Sequence, residues 1–590
     1  MYKILFRVEG GEDVTIFAVG GENVLDLARK ANVPIDAPCA GNGTCGKCRV
    51  KVLDNKTGDV SLSHSRYLSD IEFASGWRLA CESVIDGDIT LLVPNITASY
   101  VRNITTEVYQ KQGDGSSASL GLAIDIGTTT VSALLVDMST GDILAKATTG
   151  NAQIRYGADV INRIIEQQKP GGIEKLQDAI VKDTLIPLID ELCKKTGVSR
   201  DKIIRLTVAA NTTMNHLLLG VDANSIRIEP YEPAFLEFGV YDPAGIGLCV
   251  APDAELVLAP NIGSYVGGDI TAGVSVAAAP SGWPMWSLHG MELSQIQDPD
   301  DNCGLRFEEL EIPRKTTLLI DLGTNGEIVL GNNDFMMACA CSAGPAFEGG
   351  DISCGMRATD GAIEKFAINK DLMTHELTVI GGSKPAGLCG SGLIDVVAEL
   401  FRVGLIDGKG KFNGTQGDGS LVFRREHKRT VPLCSDEYGT GCYVLAFASD
   451  SATGKDITLT ETDIDNFIRA KGAIFSGIMS LLTPLDFTPA DIDDVLIAGG
   501  IGSGINIRNA ISIGMLPDLP EERYSYIGNS SLNGAYAMLI VPEGEEVIND
   551  IAKNMTYIDL STQPGYMDEF IAACFLPHTD EKLFPTVALP

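Results

Sequence analysis

One supersecondary unit occurs twice in this chain, and that duplication limits the folds open to it. Gly121-Leu-Ala-Ile-Asp-Ile-Gly-Thr-Thr-Thr130 reads as a buried strand, Leu122 to Ile126, ended by Gly127 and a run of threonines. A second apolar strand (Val131 to Val136), a Ser139-Thr-Gly-Asp turn and a third strand (Ile143 to Ala147) follow. Thr317-Leu-Leu-Ile-Asp-Leu-Gly-Thr-Asn-Gly-Glu327 repeats the plan, with a strand from Ile328 to Leu330, an Asn-Asn-Asp turn and another strand behind it. Two copies of one hairpin unit predict a duplicated fold with a cleft between its halves.

The composition of the turns points to phosphate. A tight hairpin rich in Gly and Thr aims backbone N–H groups and hydroxyls at an anion without obstruction by Cβ atoms. An aspartate at each strand end, Asp125 and Asp321, can hold a hydrated Mg²⁺ between the halves. A single copy would be an ordinary hairpin with a solvated aspartate. Two copies with the aspartate in the same place favour a shared site. Asp494-Val-Leu-Ile-Ala-Gly-Gly-Ile-Gly-Ser-Gly504 adds a strand running into a glycine turn, where backbone can approach a flat ligand closely.

These three pieces resemble the phosphate-1, phosphate-2 and adenosine motifs of the acetate kinase, sugar kinase, Hsp70 and actin superfamily, over roughly residues 120 to 575. That superfamily also places an acidic residue between its hairpins, and Asp269 in Tyr265-Val-Gly-Gly-Asp-Ile-Thr-Ala-Gly273 is the candidate.

The first 94 residues read differently. Lys3 to Val8 and Val14 to Val19 form a hairpin, Asn23 to Ala31 a short helix, and Arg49 to Leu53 and Ile89 to Val93 further strands. Cys39, Cys45, Cys48 and Cys81 have the spacing C-x₅-C-x₂-C, with the fourth cysteine after 32 more residues. This resembles plant-type and adrenodoxin-type [2Fe–2S] ferredoxins, nearer the adrenodoxin branch. Gly41, Gly43 and Gly46 let the loop fold tightly around sulfur. A structural zinc site is the rival, but zinc ribbons pair two C-x₂-C knuckles and only one is present. Gly41-Asn-Gly-Thr-Cys-Gly46 also matches G-x-G-x-x-G, yet it follows no strand directly and opens no helix, so the dinucleotide reading fails.

The expected organisation is therefore an α/β multidomain chain. A β-grasp [2Fe–2S] ferredoxin-like domain spans 1–94 and a flexible linker 95–118. A middle domain with the first hairpin spans 119–280, an irregular insert 281–315, and a C-terminal domain 316–590. The last parts together make a duplicated ribonuclease H-like ATPase fold of the actin/Hsp70/sugar-kinase type. Between the hairpins, Arg155 to Gln168 and Ile173 to Lys195 show helical periodicity, with a break expected at Pro187. Thr462 to Leu482 reads as an amphipathic helix begun by a Thr/Asp cap. His216 is expected to be capped into a helix start rather than to act as a base. Cys339, Cys341, Cys354 and Cys389 are expected to be buried thiols rather than a second metal site.

A formal net charge of −33 argues against nucleic-acid binding. Residues 1–94 hold ten Lys/Arg and thirteen Asp/Glu, so about thirty of those charges lie beyond them. No stretch suits a membrane span, and Met1-Tyr-Lys-Ile-Leu-Phe-Arg lacks a signal-peptide core. Fourteen cysteines without an export signal suggest a reducing compartment, so cytoplasm is the expectation.

The whole arrangement resembles the reductive activators of corrinoid proteins, including Ser342-Ala-Gly-Pro-Ala-Phe-Glu348, Cys354-Gly-Met-Arg-Ala358 and Cys389-Gly-Ser-Gly-Leu393. The resemblance implies ATP-dependent one-electron reduction of Co(II) corrinoid to Co(I) on a methyltransferase or corrinoid protein. It also implies a low-potential electron donor, an anaerobic cytoplasmic setting and a homodimer. In that reading Cys39, Cys45, Cys48 and Cys81 hold a [2Fe–2S] cluster. Gly127, Thr128, Thr129 and Thr130, and Gly323, Thr324, Asn325 and Gly326, cradle the phosphates of ATP. Asp125, Asp321 and Asp269 serve Mg²⁺ and the attacking water, and Gly499, Gly500 and Gly502 border the adenosine. Three alternatives stay open: an ATP-gated donor to a radical dehydratase or reductase, a redox-sensing module, and a sugar kinase with an appended ferredoxin.

Overall fold

The structure is a computed structural model. It describes residues 1–589 apart from 10–12, 32, 34, 36, 38–40, 42, 44–45, 56–60, 63–67, 69, 95–104, 110–118, 158, 278–290, 296–304, 310–314, 324, 333, 372–373, 414–432, 436–439 and 501–503. The chain divides into two units. One comprises Met1–Leu206, Thr213–Phe235 and Val240–Val257, the other Thr207–Thr212, Leu236–Gly239 and Leu258–Pro590.

The front of the first unit is a five-stranded sheet built from β1 (Tyr2–Val8), β2 (Val14–Ala18), β3 (Arg49–Asn55), β4 (Trp77–Leu79) and β5 (Ile89–Val93). Their order is β2-β1-β5-β3-β4. The β1–β2 pair is antiparallel and the β1–β5 pair parallel, the β-grasp pattern. Asn23 caps helix α1 (Val24–Lys30), its side chain accepting from the N–H groups of Leu25 and Asp26. Alternation in β1 puts Ile4 and Phe6 inside, against Leu27, Val50 and Leu91.

Farther along the same unit, β6 (Thr105–Val108), β7 (Leu120–Ile126), β8 (Thr130–Asp137) and β9 (Ile143–Gly150) form the first hairpin and its flank. β6 lies inside the stretch expected to be linker, yet it pairs antiparallel with β9 as an edge strand. Asp125 faces Ser132 across the β7–β8 pair. The expected helices appear as Val160–Gln167, Gly172–Ile180 and Ile186–Thr196. A π-helical turn, Val181–Leu185, joins the last two, so the irregularity falls one turn before Pro187.

The second unit holds the repeat. β10 (Thr317–Leu322), β11 (Gly326–Asn332) and β12 (Phe335–Cys341) form the second hairpin and its third strand. They sit in a six-stranded sheet with Tyr524–Gly528, Asp494–Ala498 and Met555–Tyr557. The Asp494–Ala498 strand runs parallel to β10, bringing Ala498 level with Asp321. The long helix α2 (Glu461–Leu482) begins with a reciprocal Thr460/Asp463 capping box. Its Phe467, Ile474 and Ile478 enter the core shared with β10 to β12. The segment expected to be an irregular insert contains an antiparallel pair, Met291–Gln295 with Leu305–Glu309. Trp283, Trp286 and the Asp298 to Asp301 run lie outside the described residues. Among the described residues no helix is long and apolar enough to cross a membrane.

Candidate cluster loop and hairpin sites

Two of the four predicted cluster ligands are described. Cys48 Sγ and Cys81 Sγ stand 3.2 Å apart, well beyond a disulfide's ~2.05 Å and near the ~3.7 Å of two thiolates sharing one tetrahedral metal at ~2.3 Å. Neither is in a disulfide. Asn23 Nδ2 donates to Cys81 O at 2.8 Å and Ala80 N–H donates to Cys48 O at 2.7 Å, so both ligand backbones are held. Gly41 and Gly43 take φ of 98° and 71°, and a Cβ on Gly41 would come within 3.1 Å of Leu25 Cδ2. The loop needs glycine there. These features suit a cluster, although Cys39 and Cys45 lie outside the described residues.

At the first hairpin, Gly127 N–H donates to Thr130 O at 3.0 Å and closes the turn. A Cβ on Gly127 would lie 2.6 Å from that oxygen. Thr128 and Thr129 are buried, whereas Thr130 is exposed. The second hairpin closes the same way, with Gly323 N–H donating to Asn325 O at 3.0 Å. Thr324, at its tip, is outside the described residues. A Cβ on Gly326 would sit 2.7 Å from Cys341 Sγ, so this close strand approach also needs glycine.

Around the second hairpin the fold assembles an acidic site within one unit. Glu327 is buried, and desolvation first, then the charges of Asp269 and Asp321, push its carboxyl well above the usual range. Sequence reasoning named both aspartates but did not assign Glu327 a role; its place across the turn from Asp321 was the available signal. Asp269 lies in the first turn of Gly268–Ser275. The loop before it is held by Thr212 Oγ1 donating to Gly263 O (2.6 Å) and Asn211 Nδ2 donating to Tyr265 O (3.1 Å). Ser531 Oγ donates to Asp269 O at 3.1 Å.

The glycine turn after Asp494–Ala498 abuts this site. Gly499 has φ 91°, and a Cβ there would meet Leu322 O at 2.4 Å and Asp321 Oδ1 at 2.6 Å. Among the described residues nothing lies within 4 Å of where a Cβ on Gly500 would be, and Gly502 is outside them. His216 is buried in helix Thr212–Leu219; its Nε2 accepts from Ala234 N–H at 3.1 Å, and its ring stacks on Phe235. It has a structural role. Cys339, Cys341 and Cys389 are buried, burial pushes the Cys339 and Cys341 thiols up, and among the described residues no second metal cluster forms.

A ferredoxin-type front unit followed by a duplicated Asp–Gly hairpin fold defines an iron–sulfur protein carrying an ASKHA-type domain. Family models agree: a 2Fe-2S iron-sulfur cluster binding domain matches residues 8–86, the RACo middle region 120–279, and the C-terminal domain of RACo, the ASKHA domain, 315–588. The solved structure of a reductive activator for a corrinoid, iron–sulfur protein is 34% identical, covers 100% of both chains and superposes with a TM-score of 0.66. The corrinoid activation enzyme RamQ of Eubacterium limosum is 28% identical over 93% of this chain and 95% of its own. A [Co(II) methylated amine-specific corrinoid protein] reductase of Methanosarcina barkeri is 24% identical over 42% of this chain and 43% of its own. The chain belongs to the RACo family of reductive activators.

Proposed function

We propose that this chain is an ATP-dependent reductive activase. It delivers one electron to the inactive Co(II) corrinoid of a methyltransferase or corrinoid protein and regenerates Co(I). The observation that supports this reading is the union, on one chain, of a paired-cysteine loop with two Asp–Gly hairpins, in the order of a full-length relative that activates a corrinoid, iron–sulfur protein.

Cys39, Cys45, Cys48 and Cys81 hold the [2Fe–2S] cluster, which supplies single-electron chemistry. Asn23 and the β3–β4 backbone keep Cys48 and Cys81 in place for it. Gly127 to Thr130 and Gly323 to Gly326 cradle the phosphates of MgATP, and Gly499, Gly500 and Gly502 border its adenosine. Asp125, Asp321 and Asp269 orient hydrated Mg²⁺ and the attacking water. Beside them, burial and the charges of Asp269 and Asp321 raise the Glu327 carboxyl above its usual range. Phosphoryl transfer rests on positioning, so hydrolysis is slow until a docked partner completes the geometry. Coupling comes from different affinities of the nucleotide-bound and nucleotide-free states for the corrinoid partner. A low-potential donor reloads the cluster, and the protein acts as a homodimer in an anaerobic cytoplasm.

The test mixes the reduced protein with Co(II) corrinoid protein and follows the cobalt spectrum. Co(I) is expected with MgATP and not without it. Equal formation in the absence of nucleotide would overturn the coupling.

A further inference from the structure

Three consecutive carbonyl groups of the first hairpin turn are all held from behind. Asn151 Nδ2 donates to Gly127 O at 3.0 Å, and Asn151 N–H donates to Thr129 O at 2.8 Å. Between them, Arg163 Nη2 donates to Thr128 O. In a trans peptide the N–H of one residue points opposite to the C=O of the residue before it. Anchoring the Gly127 and Thr128 carbonyls therefore turns the N–H groups of Thr128 and Thr129 away from the anchor, on the side where an anion would sit.

Neither anchor is a surface group. Arg163 is 0% exposed and Asn151 2% exposed. Arg163 Nε donates to Gly157 O at 2.9 Å and Nη1 donates to Gln153 Oε1 at 3.2 Å. Gln153 N–H in turn donates to Asn151 Oδ1 at 3.0 Å. Met214 Sδ lies 3.2 Å from Arg163 Nη1 and 3.8 Å from Asn151 Nδ2. The planar guanidinium thus lies buried directly beneath the turn, its donors divided among the oxygens of Thr128, Gly157 and Gln153.

The second hairpin carries more carboxyl groups. Where Asp125 faces Ser132 in the first, Asp321 faces Glu327 in the second, with Asp269 near enough to act on Glu327. We propose that Arg163 and Asn151 are positioning residues. They hold the Thr128 and Thr129 N–H groups of the first hairpin in the orientation that accepts a phosphate of MgATP. This rests on the reading that the chain binds MgATP.

The test uses the full-length, anaerobically reconstituted protein and compares equilibrium binding of MgATP and of adenosine. Arg163→Met is expected to weaken MgATP by about tenfold to hundredfold, the weight of one or two charge-assisted hydrogen bonds, with adenosine unchanged. Arg163→Lys, which keeps the charge but not the fork, should fall between. Equal loss of MgATP and adenosine would assign Arg163 to the scaffold alone and overturn the proposal, as would unchanged MgATP binding. Should Arg163→Met not fold, Asn151→Ala carries the same comparison with the same criteria. A wild type that binds no adenine nucleotide would overturn the nucleotide reading itself, an outcome visible before any variant is made.

Discussion

Glu327 stands directly across the second hairpin from Asp321, the two residues paired in the antiparallel register. Facing side chains in such a pair lie on one side of the sheet, about 5 Å apart at Cβ. Glu327 is buried, its carboxyl raised first by burial and then by the charges of Asp269 and Asp321. A neighbouring like charge disfavours ionisation of a carboxyl, and burial disfavours it further.

Asp321→Asn removes a carboxylate from the residues proposed to orient Mg²⁺, without changing side-chain shape. Phosphate release and MgATP-dependent Co(I) formation should both fall by about 100- to 1000-fold, the cost of losing one preorganised electrostatic contact. The visible spectrum of the cluster should not change. Steady-state phosphate assays beside a cobalt spectrum check this.

Gly499→Ala places a methyl group 2.4 Å from Leu322 O and 2.6 Å from Asp321 Oδ1, on backbone at φ 91°. Left-handed backbone alone costs about 1–2 kcal/mol, and the clash displaces Asp321. Nucleotide affinity should drop by about tenfold or more, measured by equilibrium binding. Gly245→Ala, at an exposed glycine with no atom of the described residues within 4 Å of its Cβ position, is the control and should bind nearly as the wild type does.

Cys81→Ser or Cys48→Ser should lose the reconstituted cluster, read as iron content and visible absorption, and with it electron delivery. ATP turnover should survive. Cys193→Ser, a buried helical thiol far along the chain, should keep the cluster.

Lys471 is buried in α2, and its Nζ donates to Phe575 O at 2.5 Å and Pro577 O at 2.7 Å, with Gly514 O at 3.4 Å. Lys471→Met leaves these carbonyls without their donor and should cost about 2–4 kcal/mol. Burial pulls the amine down to about 7 from 10.5. Between those values the unfolded chain binds the extra proton, so the stability contributed by this group rises with pH. Below pH 7 both states are protonated and the burial cost is present in full. From pH 7 to 9 the thermal midpoint of the wild type should rise relative to Lys471→Met, and an equal pH response would refute the assignment.

What the residues determined alone is what local chemistry can write. Gly and Thr at a strand end make a turn, Asp at the same place in two copies marks a shared design, and cysteine spacing names a cluster loop. The Thr460/Asp463 cap was equally legible, because a capping box is complete within four residues. Tertiary structure decided the rest, because those contacts join residues far apart in sequence. Arg163 reads as one polar position in a helix, and only folding carries it under Thr128. Asp269 was a guess from order along the chain until the fold brought its charge to bear on Glu327. Thr105–Val108 looked like tether because an edge strand needs a partner, and that partner, Ile143–Gly150, lies beyond two intervening strands. Burial and register are properties of the assembled sheet, and no window of sequence contains them.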